Sequence, residues 1–334
     1  MAGPEAEAGA AGGGDGEFTL IAEVMAPLAG DPGALGLSDD AAVIATGAET
    51  VATADALVAG VHFLPRDPAD RIARKMLRVN LSDLAAMGAM PRAYLCTLAL
   101  PEGTGRPWLE RFAEGLREDL ATYGGALVGG DLVSTPGPLT LSLTALGDPP
   151  PGGAVRRNGA RPGDLLLVSG TLGDGALGLE AAQGGLLELD AEHRLFLEDR
   201  YRLPRPRMAL GRAVAGRVTA MMDISDGLLA DLGHICRTSG VGAEVRAGDL
   251  PLSPALEAVL ADTPERLDAV LSGGDDYELL MAAPPDAAQG LIAEAEALGE
   301  RLTMVGRITE ESDITVVDRT GAPLGAAGGG WTHF

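Results

Sequence analysis

Aspartates set inside apolar segments are the first constraint on how this chain can fold. In "MMDISDGLLADLGHI" (221–235), Asp223, Asp226 and Asp231 stand among Met, Ile and Leu. Burying an unpaired carboxylate is costly, so a fold that buries this run must bring a cation, a proton or a dipole to it. The pattern recurs in "GLSDDAAV" (Asp39, Asp40), "VATADALVAG" (Asp55), "VNLSDLAAMGA" (Asp83), "LVGGDLV" (Asp131) and "LSGGDDYELL" (Asp275, Asp276). Each Asp lies within two residues of a Gly, Ser or Thr, at what reads as the end of a β-like run or the start of a helix. Taken singly, a Ser-Asp pair before an apolar helix is an N-cap and Gly-Gly-Asp is a turn. Caps, however, need one acid each and accept Ser, Thr or Asn as well. "NLSDLAAMGA" and "DISDGLLADLG" share a Ser-Asp start, which predicts a helix restarting near Ser82 and hints at related halves.

Around these acids the chain alternates short β-like and helical runs. "AAVIAT" and "TVATADALVAG" read as a hairpin, 68–89 as a helix, "YLCTLALP" as a strand, "PWLERFAEGLREDLATYG" as a helix, and "ALVGGDLV" and "LTLSLTALGD" as strands. The Pro/Gly run "PPPGGAVRRNGARPGD" (149–164) is the best boundary. The second half repeats the alternation and ends on a strand pair at "TMVGRITE" and "ITVVD". The expected fold is α/β (α+β) in two domains, 16–148 and 149–334, each a layered sheet, with 1–15 a disordered tail.

Several loops offering hard oxygen ligands suit Mg²⁺, which takes one or two carboxylates per ion and completes its octahedron with phosphate oxygens. His62, His193, His234 and His333 are too scattered for a zinc set, and Cys96 and Cys236 stand alone in apolar stretches, as in a reducing compartment. A net charge of −23 argues against nucleic acid or an anionic membrane as partner. A phosphate-ester ligand would then need metal ions or local arginines. Lys75 is the one lysine, so the P-loop pattern and a protein-kinase lysine with its downstream signals are both absent. Arg156, Arg157 and Arg161 at the hinge can clamp a nucleotide tail. With no run of 18 apolar residues and no basic n-region, the expected location is cytoplasmic. These features point to several Mg²⁺ ions assembled around a polyphosphate, the cations supplying what lysine supplies elsewhere.

From "GEFTLI" (16–21) to "GWTHF" (330–334) the chain resembles the thiamine-monophosphate kinase family of the aminoimidazole-ribonucleotide synthetase superfamily. The resemblance is carried by "DALVAGVHF", "VNLSDLAAMGAMPRA", "GGDLVSTPGPLTLSLTALG", "RNGARPGD", "DISDGLLADLGHI" and "LSGGDDYELL", in that order. It implies transfer of the γ-phosphoryl group of ATP to thiamine monophosphate, the last step of thiamine diphosphate synthesis. It also implies a homodimer whose N-terminal strands form a barrel across the interface, with ATP and a Mg²⁺ cluster between the domains. Residue by residue, it implies Asp40, Thr53, Ala54, Asp55, Asp83, Asp131, Asp223 and Asp226 as metal ligands. Tyr123, Gly130, Asp131, Arg157 and Ser225 would contact ATP, and His62, Asp275 and Trp331 thiamine monophosphate. No covalent nucleophile is implied.

Three positions depart from the family pattern: Ser38 where Gly is usual, Ala54 where Thr or Ser is usual, and "GGDLVS" for a Thr-rich continuation. None removes a carboxylate, and at Ala54 one ligand reduces to a backbone carbonyl. Hydrogenase-maturation dehydratases end in a reactive cysteine, and selenophosphate synthetases need Cys or selenocysteine early in the chain. This sequence has neither. A silent nucleotide- or thiamine-phosphate-binding protein would not need so many acids. On this reading Mg²⁺ holds Asp223 and Asp226, with Ser225 and the helix N-terminus adding donors, and Asp231 is a helix-surface charge.

Overall fold

A computed structural model describes residues 35, 38–40, 42–45 and 49–324. The 1–15 tail, "GEFTLI" and Trp331 lie outside the described residues. The first half runs β1 (Ala42–Ala45), β2 (Glu49–Val58), α1 (Ala69–Ala86), β3 (Met90–Pro101), α2 (Arg106–Tyr123), β4 (Ala126–Thr135) and β5 (Thr140–Asp148). The second opens with β6 (Leu165–Ser169), α3 (Asp174–Ala182), α4 (Ala191–Arg202), α5 (Met208–Val214), β7 (Ala220–Ile224) and α6 (Leu228–Ser239). It closes with β8 (Gly242–Arg246), α7 (Pro254–Asp262), α8 (Leu267–Ser272), β9 (Glu278–Ala283), α9 (Pro285–Ala297), β10 (Leu302–Thr309) and β11 (Ile314–Val317).

Each half owns one mixed sheet, ordered β1-β2-β5-β3-β4 and β11-β8-β10-β6-β9-β7. In the first, β3 and β4 are parallel, a pairing that needs a crossover, and α2 supplies it. β5 alternates strictly, burying Leu141, Leu143 and Ala145 on the face that α1 covers. On the other side α1 packs on β7 and β9, so one helix fills the space between the sheets. That position explains why nearly all of α1 is buried, including Lys75, Arg78, Asn80 and Ser82, each of which has a hydrogen-bonding partner. The expected restart at Ser82 does not occur. No Gly or Pro interrupts α1 there, and Ser82 Oγ donates to Asp223 Oδ2 at 2.6 Å instead of capping a helix.

The second sheet is buried on both faces. Leu167, Met221, Leu279 and Met281 join the core around α1, while Leu166, Val168, Met222, Ile224 and Leu280 join the core on the far side. Two-sided burial is why these strands read as unbroken apolar runs. The same period of two turns Asp223 toward α1. β10 and β11 do not pair with each other as expected; β8 lies between them, antiparallel to β10 and parallel to β11. Gly242 makes room there, since a Cβ would lie 2.0 Å from the Glu311 carbonyl oxygen. Among the described residues, no helix is long and apolar enough to cross a membrane.

Candidate active site

Asp83 projects from α1, Asp223 from β7 and Asp40 from the segment before β1. One carboxylate oxygen of each lies within 4.8 Å of the others. Thr53 and Asp55, two residues apart on β2, face the same way. Thr53 Oγ1 donates to Asp83 Oδ2 at 2.5 Å and lies 3.4 Å from the Asp40 carbonyl oxygen. The Asp55 N–H donates to Asn80 Oδ1 at 3.2 Å. Acids from both halves thus converge on the buried flank of one helix.

Their electrostatics are unfavourable without a cation. Burial, with the charge of Asp40, raises the Asp55 pKa to about 6. Burial followed by Asp40 raises Asp223 to about 8, against the opposing Ser82 hydroxyl and Arg157. Asp83 is raised well above the usual range by burial and by Asp55, Asp223 and Asp40. Arg157 Nη2 pairs with Asp40 Oδ1, and its N–H donates to Asp39 Oδ1 at 2.9 Å. Asp40 Oδ2 is buried and has no hydrogen-bond partner among the described residues. Converging carboxylates, one of them carrying an orphaned oxygen, with no His or Cys among them, form a donor set that fits a hard divalent cation.

The loop from β7 to α6 carries Ser225, Asp226 and Gly227, and a residue read as surface charge organises it. Asp231 is only 2% exposed. Its Oδ2 accepts the N–H groups of Ser225, Asp226 and Gly227 at 3.0, 3.0 and 3.1 Å. Helical side chains lean toward the N-terminus, so an acid in the first turn can reach back to those donors. Burial and the charges of Asp226 and Asp223 still hold its pKa well above the usual range. Gly227, at φ 115°, passes so close to Ser272 that a Cβ would collide with its backbone.

A second group lies where the halves meet. The Lys75 ammonium is 3.0 Å from both Asp275 Oδ2 and the His62 carbonyl oxygen, and 3.9 Å from the centre of the Tyr201 ring. His62 Nδ1 accepts the Val58 N–H at 3.0 Å, which leaves Nε2 as the protonated nitrogen of the neutral ring. Sequence motifs pointed to His62 and Asp275 but missed Lys75. The available signal was its helical register, two turns before Ser82 on the same buried face.

Other expected site residues lie elsewhere in the single chain. Asp131 pairs across to Thr97, Thr97 to Ser142 and Ser142 to Ala56. Asp131 therefore shares the sheet face of Ala56, opposite that of Asp55, and stays apart from the three converging acids. Asp55 and Asp131 both lie within strands, not at junctions. Gly-Gly before Asp131 is not a turn; Gly130, at φ 156°, lets β4 approach the Cys96 carbonyl. The Ala54 side chain also faces away from Asp55, leaving only its main chain for any ligand role. Asp226 follows Asp223 in the loop but is outside the group of three. Tyr123 lies under the Arg78 guanidinium at 5.6 Å.

Two sheets gripping one acid-bearing helix define a class. The model for the AIR synthase related protein N-terminal domain matches residues 38–148, and that for the C-terminal domain matches 161–319. The thiamine-monophosphate kinase of Caulobacter vibrioides is 43% identical over 95% of this chain and 90% of its own length. That of Escherichia coli K12 is 40% identical over 96% and 98%. A solved structure of AaThiL complexed with AMPPCP and TMP superposes with a TM-score of 0.82 at 31% identity, covering 96% of this chain and 97% of that one. The chain belongs to the thiamine-monophosphate kinase family within the AIR synthase related proteins.

Proposed function

We propose that this chain phosphorylates thiamine monophosphate with ATP, giving thiamine diphosphate and ADP, on a Mg²⁺ cluster held by Asp40, Asp55, Asp83 and Asp223. The observation that carries the reading is the convergence of the Asp40, Asp83 and Asp223 oxygens, with Asp40 Oδ2 unpartnered among the described residues. Curated relatives of near-equal length bear the same activity in their names, and AaThiL holds an ATP analogue together with TMP.

Thr53 and Ser82 orient Asp83 and Asp223 through their hydroxyls, and Arg157 supplies fixed positive charge beside Asp40 for the nucleotide phosphates. Bound Mg²⁺ would neutralise the polyphosphate and align its γ-phosphoryl group. A phosphate oxygen of the acceptor is already ionised near neutral pH, so it needs no general base. It attacks the γ-phosphorus as the bond to the β-phosphate oxygen breaks, with no covalent enzyme intermediate. Ser225 and Asp226, on the loop tied down by Asp231, and Tyr123 serve the nucleotide side. His62, Asp275 and Trp331 serve the acceptor. Gly130, Asp131 and the Ala54 carbonyl join through bound nucleotide or a second subunit.

The direct test incubates protein, MgATP and thiamine monophosphate and separates the products chromatographically. Equal yields of ADP and thiamine diphosphate, lost with EDTA and absent with free thiamine, are expected. ADP without thiamine diphosphate would remove the acceptor assignment. Metal should also appear in stability. The buried carboxylates have raised folded-state pKa values, so the folded chain binds more protons than the unfolded one. Their contribution is present below the ordinary value of 3.8 and is lost as pH rises through about 6 and about 8. The melting temperature in EDTA should therefore fall between pH 5 and 8, with Mg²⁺ raising it more at pH 8 than at pH 6. Equal increments at the two pH values would place the metal elsewhere.

A homodimer fits the first sheet. β4 is an edge strand, paired in the described residues only with β3, and exposes Val128 at 61% and Leu132 at 58%. An apolar exposed edge invites a second copy. Val128→Lys with Leu132→Lys is expected to halve the mass seen by light scattering; an unchanged mass would relocate the interface. Both cysteines are buried and free, in keeping with a cytoplasmic location.

A further inference from the structure

We propose that Lys75 is the positioning residue of the acceptor site, fixing the Asp275 carboxylate against the His62 turn; this rests on the acceptor assignment above. Lys75 lies in α1, is 2% exposed, and has two oxygen partners, each at 3.0 Å. The third side of the ammonium faces the Tyr201 ring. So engaged, the group is not free to grip a phosphate as a P-loop lysine does. What it can do is hold other groups still.

The two groups it holds come from different halves of the protein. His62 is immobilised twice, through its ring by the Val58 N–H and through its carbonyl by Lys75. Asp275 belongs to a loop whose backbone is strained and firmly pinned. Asp275 and Tyr277 have φ of 70° and 52°, in the left-handed region that non-glycine residues rarely adopt. The Asp275 N–H donates to Ser225 O at 2.9 Å and the Tyr277 N–H to Ile224 O at 2.8 Å. Asp276 between them is buried and accepts the Gly173 and Gly175 N–H groups at 2.7 and 2.9 Å. The loop is therefore fixed by its main chain and by Asp276. The Asp275 side chain, 29% exposed, extends to Lys75 and is also hydrogen-bonded by the Tyr277 side chain. A charge-assisted bond to a buried ammonium sets its rotamer.

None of the bonds to Lys75 involves Asp40, Thr53, Asp83 or Asp223. Its removal should therefore loosen the acceptor side and leave the nucleotide side in place, a split that a general packing role would not produce. The experiment is steady-state kinetics on Lys75→Met, Asp275→Asn and the double variant, varying thiamine monophosphate and MgATP separately. Lys75→Met is expected to raise KM for thiamine monophosphate by about tenfold or more while KM for MgATP stays within about twofold. The double variant should be no worse than the poorer single one, because Lys75 acts through Asp275. It also leaves neither charge unpaired, so it carries the test if Lys75→Met does not fold. Equal rises in both KM values, additive losses, or an unchanged acceptor KM would overturn the inference with the kinase assignment intact. A wild-type protein that makes no thiamine diphosphate would overturn both.

Discussion

Asp83→Asn is expected to lose turnover by about 10²–10³-fold or more while the chain folds normally and, in EDTA, melts higher than the wild type. Asp83 is the acid on which the others converge. It shares a 4.8 Å cluster with Asp40 and Asp223, takes the Thr53 hydroxyl at 2.5 Å, and is raised by burial and three neighbouring carboxylates. An amide keeps the volume and an acceptor oxygen and avoids the cost of protonating a buried acid, which favours the metal-free fold. The same change weakens the hold on a divalent cation whose charge would be worth several kcal/mol to the transition state. The opposite signs are the diagnostic. An active Asp83→Asn enzyme would falsify the metal-cluster reading, and a variant both inactive and unfolded would make Asp83 a folding residue. Thermal melting in EDTA and initial rates in MgATP measure the two arms on one preparation.

Asp231→Ala should carry the largest stability cost of any acid near the site, on the order of 3 kcal/mol, from leaving three N–H groups, one buried and two part-buried, without their acceptor. Ser225, Asp226 and Gly227 all donate to Asp231 Oδ2, and Ser225 O in turn receives the Asp275 N–H. Loss of this one oxygen should therefore loosen both the nucleotide loop and the acceptor loop, raising KM for both substrates. Asp231→Asn keeps an acceptor oxygen in the same place without a buried charge, so it should retain more stability than the alanine variant. Denaturant unfolding of the three proteins gives the ranking; alanine and asparagine variants of equal stability would show that the loop does not depend on this acceptor.

The site's legibility differed residue by residue. Asp40, Asp83 and Asp223 were marked in the sequence because a carboxylate in an apolar run demands explanation, and Thr53 by the family resemblance alone; the fold gathers all four. Asp131 was marked in the same way, yet within one chain it faces away from Asp55. A Gly-Gly-Asp string does not reveal whether it is a turn or the middle of an edge strand, because glycine permits both. Asp231 was misread because helical position alone makes an acid in the first turn look solvent-facing. Its acceptor role exists only because the preceding loop folds back over it. Lys75 could not be linked to Asp275 at all, since 200 residues separate them.

The mixed α/β character, the two halves and the need of the buried acids for a cation, a proton or a dipole were all readable from the sequence, because periodicity and the cost of buried charge act locally and need no coordinates. The sequence also carried the family through motifs spread along the chain. Which acids share a centre, which way each strand turns its side chains, and which buried charge answers which could be read only from the folded chain. Those depend on strand register and on the packing of α1 between two sheets. A shift of one residue in a strand would exchange its faces and turn an acid such as Asp223 away from Ser82.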